Sequence, residues 1–156
     1  MLNVVFLDRN TLAPQTLVRP LAFPHTLAVF DKTSAEQLPA RIADADIVIT
    51  NKVRLTAEAI AQAPRLKMVA VAATGTDNVD LQACAERGII VSNIRNYAGH
   101  AVPEHVFALI FALRRNLLAY REAVKRGRWQ EAGTFCFFDY PIGELHGATL
   151  GIVGNG

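Results

Sequence analysis

The stretch LKMVAVAATGTDNVDLQACAERGIIV, residues 66–91, decides the fold class. Its apolar run at 67–73 is short, unbroken and bounded by polar residues, which is how a strand buried in a parallel sheet reads. The polar turn that follows ends at Asp80, whose carboxylate can accept an amide of the next turn and so open a helix over Leu81–Arg87. Gly88 then supplies the left-handed stop, and an apolar run resumes at 89–91. Strand, helix and strand in so short a span form a βαβ unit.

Working outward, further strand-like runs lie at 2–7, 26–30 and 46–49. Thr33-Ser34-Ala35-Glu36 reads as a capping box that opens a helix to about Ala43, with the Thr33 hydroxyl as its N-cap. A second helix spans 56–63 and ends before Pro64. The tract 9–24 carries Pro14, Pro20 and Pro24 and reads as partly irregular. Alternation of this kind predicts an α/β fold with a parallel sheet covered on both faces over the first hundred residues. From Val102 to Arg126 the apolar residues recur in steps of three and four, which predicts one long helix with Pro103 in its first turn and Gly127 at its end. Residues 128–146 read as a long ordered loop rich in aromatics, and 148–153 as one more strand.

Composition limits the function. Sixteen Lys and Arg against fourteen Asp and Glu leave a net charge of +2, too small and too scattered for a nucleic-acid or membrane surface. The two cysteines, Cys84 and Cys136, are far apart and have no histidine at metal spacing, so neither a disulfide framework nor a metal site is expected. The first apolar run is stopped by Asp8 and Arg9, and no window reaches about 18 apolar residues. A cytoplasmic protein, neither exported nor membrane-spanning, is the expectation.

The strand expected at 148–153 runs into Gly154-Asn155-Gly156, the first half of the G-x-G-x-x-G turn that brings backbone up to a pyrophosphate. By itself the pair of glycines could equally be a strand-ending turn. Several further motifs, in order along the chain, give it context. They are Asn51-Lys52 with Leu55-Thr56, the run Ala73-Thr74-Gly75-Thr76-Asp77-Asn78-Val79-Asp80, Gly88-Ile89, Val102-Pro103-Glu104-His105, Phe135-Cys136 through Tyr140-Pro141, and Leu150-Gly151-Ile152-Val153-Gly154.

Together they resemble the D-isomer-specific 2-hydroxyacid dehydrogenases, and within them the glycerate dehydrogenase and hydroxypyruvate reductase group. The resemblance implies a flavodoxin-like parallel-sheet substrate domain at 1–98. After it would come the first helix, loop and strand of a Rossmann NAD-binding domain at 99–156, bearing a dimerisation arm. It implies hydride transfer between NAD or NADP and a small 2-keto or 2-hydroxy acid, in a homodimer, with a histidine as proton carrier. That histidine, its glutamate and the carboxylate-binding arginine lie beyond the G-x-G turn in the family, so no catalytic residue is assigned in this chain and the chain alone is expected to be inactive. A dinucleotide-sensing corepressor on the same scaffold is the alternative. A receiver-like signalling module needs an aspartate at the end of its third strand, where this chain has Ile47-Val48-Ile49-Thr50-Asn51.

The candidate site residues divide in two. Thr74 and Gly75 end a strand where successive amides can face a carboxylate, and the resemblance makes this loop the substrate-carboxylate cradle. Lys52, just past the strand at 46–49, is a second substrate candidate, and a solvated lysine is the alternative. For the cofactor, the resemblance places Val102 against the nicotinamide, and Gly154 and Gly156 at the pyrophosphate. Glu104 and His105 are neighbours on a helix and point about 100° apart, so they read as dipole and packing residues. The basic stretch Arg114, Arg115, Arg121, Lys125, Arg126 and Arg128 reads as a solvated face.

Overall fold

The computed structural model describes residues 1–154. The chain divides into two compact units, Met1–Tyr97 and Ala98–Gly156. The first is built on five strands, β1 (Leu2–Phe6), β2 (His25–Val29), β3 (Ile47–Thr50), β4 (Met68–Val71) and β5 (Ile90–Asn93). All pair in parallel in the order β2-β1-β3-β4-β5, the flavodoxin-like arrangement. Three short helices connect them, α1 (Leu38–Ile42), α2 (Ala57–Ala61) and α3 (Leu81–Glu86).

Pairing register sets the core. Val5, Val48, Val69 and Val91 stand side by side across β1, β3, β4 and β5. The first three are buried with Leu38 and Ile42 of α1, Ala59 and Ile60 of α2 and Cys84 of α3. Burial pushes the Cys84 thiol up, which makes it a core residue with little thiolate character. The second face departs from the expectation of a sheet covered on both sides. Val4 and Phe6 are buried at its centre, but Ile47, Ile49, Met68 and Ala70 are only half-buried there, and Leu27, Val29 and Ile90 are exposed. Topology explains the asymmetry. Right-handed crossovers that all step in one direction, from β2 to β3, β4 and β5, place their helices on one face, whereas the reversed step from β1 to β2 goes to the other. That reversed connection is the proline-bearing tract 9–24, which forms only a single 3-10 turn at Arg9–Thr11. Its residues Val18, Pro20 and Leu21 lie against Leu27 and Ile49 around a cavity of about 320 Å³.

The stop and cap expected of Gly88 and Asp80 are present, Thr56 is the N-cap of α2 and not a residue of it, and α1 begins only at Leu38, with no side-chain cap at Gln37. Asp80 accepts the Ala83 amide at 2.9 Å, Thr56 accepts the Ala59 amide at 3.3 Å, and Gly88 takes a φ of +66° after α3. At α1 the reciprocal bonds run one residue later than expected, from the Ser34 amide to Gln37 Oε1 at 3.2 Å and from the Gln37 amide to Ser34 Oγ at 3.4 Å. Thr33 cannot serve as the cap because its hydroxyl donates to the Leu7 carbonyl and accepts from Arg41.

At the amino edge of the sheet, the buried Asp46 carboxylate accepts the Asn3 amide at 2.9 Å, Lys67 Nζ at 3.0 Å and Arg65 at 3.1 Å. The Asn3 amide first, then Lys67, holds its pKa down at about 2, below the ordinary 3.8. A carboxyl with a lowered folded-state value stabilises the fold above its ordinary range and loses that contribution as pH falls through the folded value. The unfolding midpoint of Asp46→Asn should therefore lie below that of the parent at neutral pH, and the two should converge between about pH 4 and pH 2. A constant difference across that window in thermal melts would refute this role.

The second unit holds α4 (Ala101–Arg114), α5 (Leu117–Lys125) and α6 (Arg128–Ala132). The single helix expected over 102–126 is broken at Asn116, which sits in the left-handed region at φ 49°. The following segment causes the break, because the Gly143 amide takes the Arg114 carbonyl at 2.8 Å and the Asn116 side-chain amide donates to the Pro141 carbonyl. Asparagine tolerates this conformation better than most residues. The expected loop is ordered, though it includes α6. Tyr120 donates to the Tyr140 carbonyl at 2.7 Å and its ring lies 5.2 Å from Phe137, while Arg128 grips Asp139 with two bonds at 2.7 and 2.9 Å. No strand forms at 148–153. A strand needs a neighbour for its amides and carbonyls, and among the described residues of this unit there is none. Among the described residues no helix is long and apolar enough to cross a membrane.

Candidate functional site

In an open parallel sheet, ligands gather beyond the carboxyl ends of the strands, and here three loops meet that edge. The loop after β1 begins with Asp8, because Leu7 extends the pairing one residue past the strand by donating to the Ile49 carbonyl at 3.0 Å. Asp8 is buried, and its carboxylate accepts three consecutive backbone amides, Asn51 at 2.9 Å, Lys52 at 2.6 Å and Val53 at 3.1 Å. The loop after β3 is thereby wrapped around one carboxylate, with Lys52 exposed at its crest.

The loops after β3 and β4 are stitched together. Leu55 donates to the Asn78 carbonyl at 2.8 Å, Asp80 donates to the Leu55 carbonyl at 2.9 Å, and Asn78 Nδ2 donates to the Val53 carbonyl at 3.1 Å. On the other side, Asn93 at the end of β5 donates to the Thr74 carbonyl at 2.7 Å. Held from both flanks, the turn leaves the backbone amides from Ala73 to Asn78 with no partner among the described residues, and Thr74 and Gly75 lie on its exposed part. Successive unpaired donors on such a turn suit a carboxylate. Gly75 is not in the left-handed region, and a Cβ there would meet the Asp77 carboxylate at 3.0 Å. Its glycine serves space.

Lys52, Thr74 and Gly75 thus share one edge of one sheet. Val102 lies in the second unit, exposed on the first turn of α4, where Glu104 and His105 are also exposed. Gly154 has a φ of +101°, a conformation that residues with a side chain rarely adopt. Gly156 lies outside the described residues. Sequence reasoning missed Asp8 and Asn93. Asp8 had a signal, since it is an acidic residue at the carboxyl end of a buried strand. Asn93 had none, because only β4–β5 pairing brings it to Thr74.

The sequence profile of the D-isomer specific 2-hydroxyacid dehydrogenase catalytic domain matches residues 4–150. Glycerate dehydrogenase of Methylorubrum extorquens is 49% identical over 155 residues, covering 99% of this chain and 49% of that protein. Hydroxypyruvate reductase of Blautia hydrogenotrophica is 35% identical over 159 residues, again covering 99% of this chain and 49% of that protein. The chain spans about half the length of these curated relatives. Among solved structures, an acyclic imino acid reductase in complex with NADPH and D-Arg superposes with a TM-score of 0.68 at 27% identity, covering 88% of this chain and 43% of that one. D-lactate dehydrogenase from Aquifex aeolicus, complexed with NAD and lactic acid, gives 0.62 at 26% identity, covering 80% and 37%. A profile match that runs through both the carboxyl-edge loops and the helices of the second unit makes this chain a member of the D-isomer-specific 2-hydroxyacid dehydrogenases.

Proposed function

We propose that this chain is the amino-terminal part of an NAD- or NADP-dependent cytoplasmic oxidoreductase acting on a small 2-keto or 2-hydroxy acid of the hydroxypyruvate and glycerate type. Residues 1–98 are its substrate domain and 99–156 the start of its cofactor domain. The observation that carries this is the row of unpaired amides at Thr74, Gly75 and Thr76, held open between Asn93 and Asn78. These amides bind the substrate carboxylate, and Lys52 on the neighbouring loop adds positive charge beside it. Val102 offers an apolar surface to the nicotinamide, and the turn begun at Gly154, continued by Gly156, admits the pyrophosphate. When bound, the nicotinamide exchanges a hydride with C2 of the acid. This chain's own part is to bind and orient the acid and to supply the first contacts to the cofactor. The complete gene product should oxidise NADH or NADPH when given hydroxypyruvate, and the 156-residue chain alone should not. Absence of turnover by the complete product with either cofactor would overturn the proposal.

Assembly follows from the second unit. Its α4 has no buried residue, and Leu113, Leu118, Phe135 and Phe138 are each more than two-thirds exposed. Such a surface calls for a cover, and an isologous contact would bury the helices and the aromatic segment together. We propose a homodimer held through residues after Val102. Light scattering behind size exclusion should give twice 17.0 kDa at low micromolar concentration, and Trp129→Ala with Phe138→Ala should shift it to the monomer. A mass near 17.0 kDa for the parent chain rejects this contact.

A further inference from the structure

The turn after β4 carries a charged side chain to which the carboxylate cradle gives no role. Asp77 is exposed, and among the described residues its carboxylate joins no hydrogen bond and no ion pair. An isolated exposed aspartate is ordinarily just solvated. Two observations set this one apart. It stands within the row of unpartnered amides from Ala73 to Asn78, yet its oxygens take none of them. By contrast, Asp8 and Asp80 in the adjoining loop segments engage the amides of residues 51–53 and of Ala83. Asp77 Oδ1 instead lies 3.0 Å from where a Cβ of Gly75 would stand. The space that the glycine leaves at the turn is therefore bordered by an unengaged carboxylate. Such a group acts on a bound 2-oxo acid in two ways. It accepts a hydrogen bond from a hydroxyl, and bonds to a charged acceptor are short and strong. It also repels a second anionic group held a few ångströms away. The head carboxylate feels the same repulsion, which the row of amides must outweigh.

We propose that Asp77 selects the substituent on C3 of the acid, accepting the C3 hydroxyl of hydroxypyruvate and excluding acids that carry a negative charge there. The inference rests on the carboxylate cradle proposed above. It makes Asp77 a determinant of specificity within that site, favouring small hydroxylated acids over both their deoxy counterparts and dicarboxylic ones.

Amide chemical-shift titration of the 156-residue chain, at neutral pH and fixed ionic strength, tests it with hydroxypyruvate, pyruvate and freshly dissolved oxaloacetate. Hydroxypyruvate should bind about tenfold more tightly than pyruvate, and oxaloacetate about tenfold more weakly than pyruvate. Asp77→Asn keeps an acceptor and removes the charge. It should reduce the hydroxyl preference to about threefold and bring oxaloacetate within about twofold of pyruvate. Asp77→Ala should erase both differences, with pyruvate bound no more weakly than by the parent chain. A purely structural role would instead lower the affinity for all three acids together, and that result would refute the proposal. Equal affinity of the parent chain for hydroxypyruvate and pyruvate, or a preference that survives Asp77→Ala, would overturn it while leaving the cradle standing. Binding of none of the three acids would overturn the cradle, and this inference with it.

Discussion

Asp8→Ala is expected to lower the stability of residues 1–97 by about 3 kcal/mol, because it removes a buried charged acceptor from three amides at once. A hydrogen bond to a charged group contributes roughly 1.5–3 kcal/mol, and each buried donor left without a partner costs about 1–3 kcal/mol. Relaxation of the loop toward solvent recovers part of that sum. Asp8→Asn retains an acceptor of similar shape and should lose about half as much. Both variants should also weaken 2-oxo acid binding, since the loop that presents Lys52 and is stitched to the Thr74–Thr76 turn is no longer anchored. Urea unfolding together with acid titration checks this. A loss below about 0.5 kcal/mol, the range of an ordinary surface change, would show that the carboxylate does not organise the loop.

Gly75→Val should reduce hydroxypyruvate affinity at least about tenfold while leaving the fold intact. Gly75 lies outside the left-handed region and is exposed, so the free energy of unfolding should change by no more than about 0.5 kcal/mol. What changes is the space over the three amides. The Cβ itself would press on the Asp77 carboxylate at 3.0 Å, and a branched side chain takes up space at a turn whose donors a carboxylate must reach at hydrogen-bond distance. In the complete gene product the same change should raise KM for the keto acid far more than KM for the cofactor. Unchanged affinity in a folded Gly75→Val protein would remove the cradle from this turn.

The sheet was legible in the sequence because its signals are local. Each β-strand begins and ends within about two residues of its apolar run, and Asp80 and Gly88 act where their chemistry places them. The features that escaped are those set by partners distant in sequence. Thr33 had the right neighbours for a cap, yet Leu7 and Arg41 claim its hydroxyl. The steps of three and four through Asn116 are a true helical pattern, and only the loop at Pro141 and Gly143 shows why the helix stops. Residues 148–153 look like a strand, but strands exist in pairs, and apolar residues alone supply no partner. The candidate site divides in the same way. The Thr74–Gly75 turn could be found from its position after an apolar run, whereas the clamp formed by Asp8, Asn78 and Asn93 joins segments far apart in sequence.

Residue-resolved NMR titration of the 156-residue chain with hydroxypyruvate measures the carboxylate cradle most directly. Saturable shifts should concentrate on the amides of Thr74, Gly75 and Thr76, with a smaller effect at Lys52, and acetate should produce the same pattern at lower affinity. Shifts that never saturate, or that saturate elsewhere and leave the Thr74–Thr76 amides unmoved, would contradict a substrate site on this edge of the sheet.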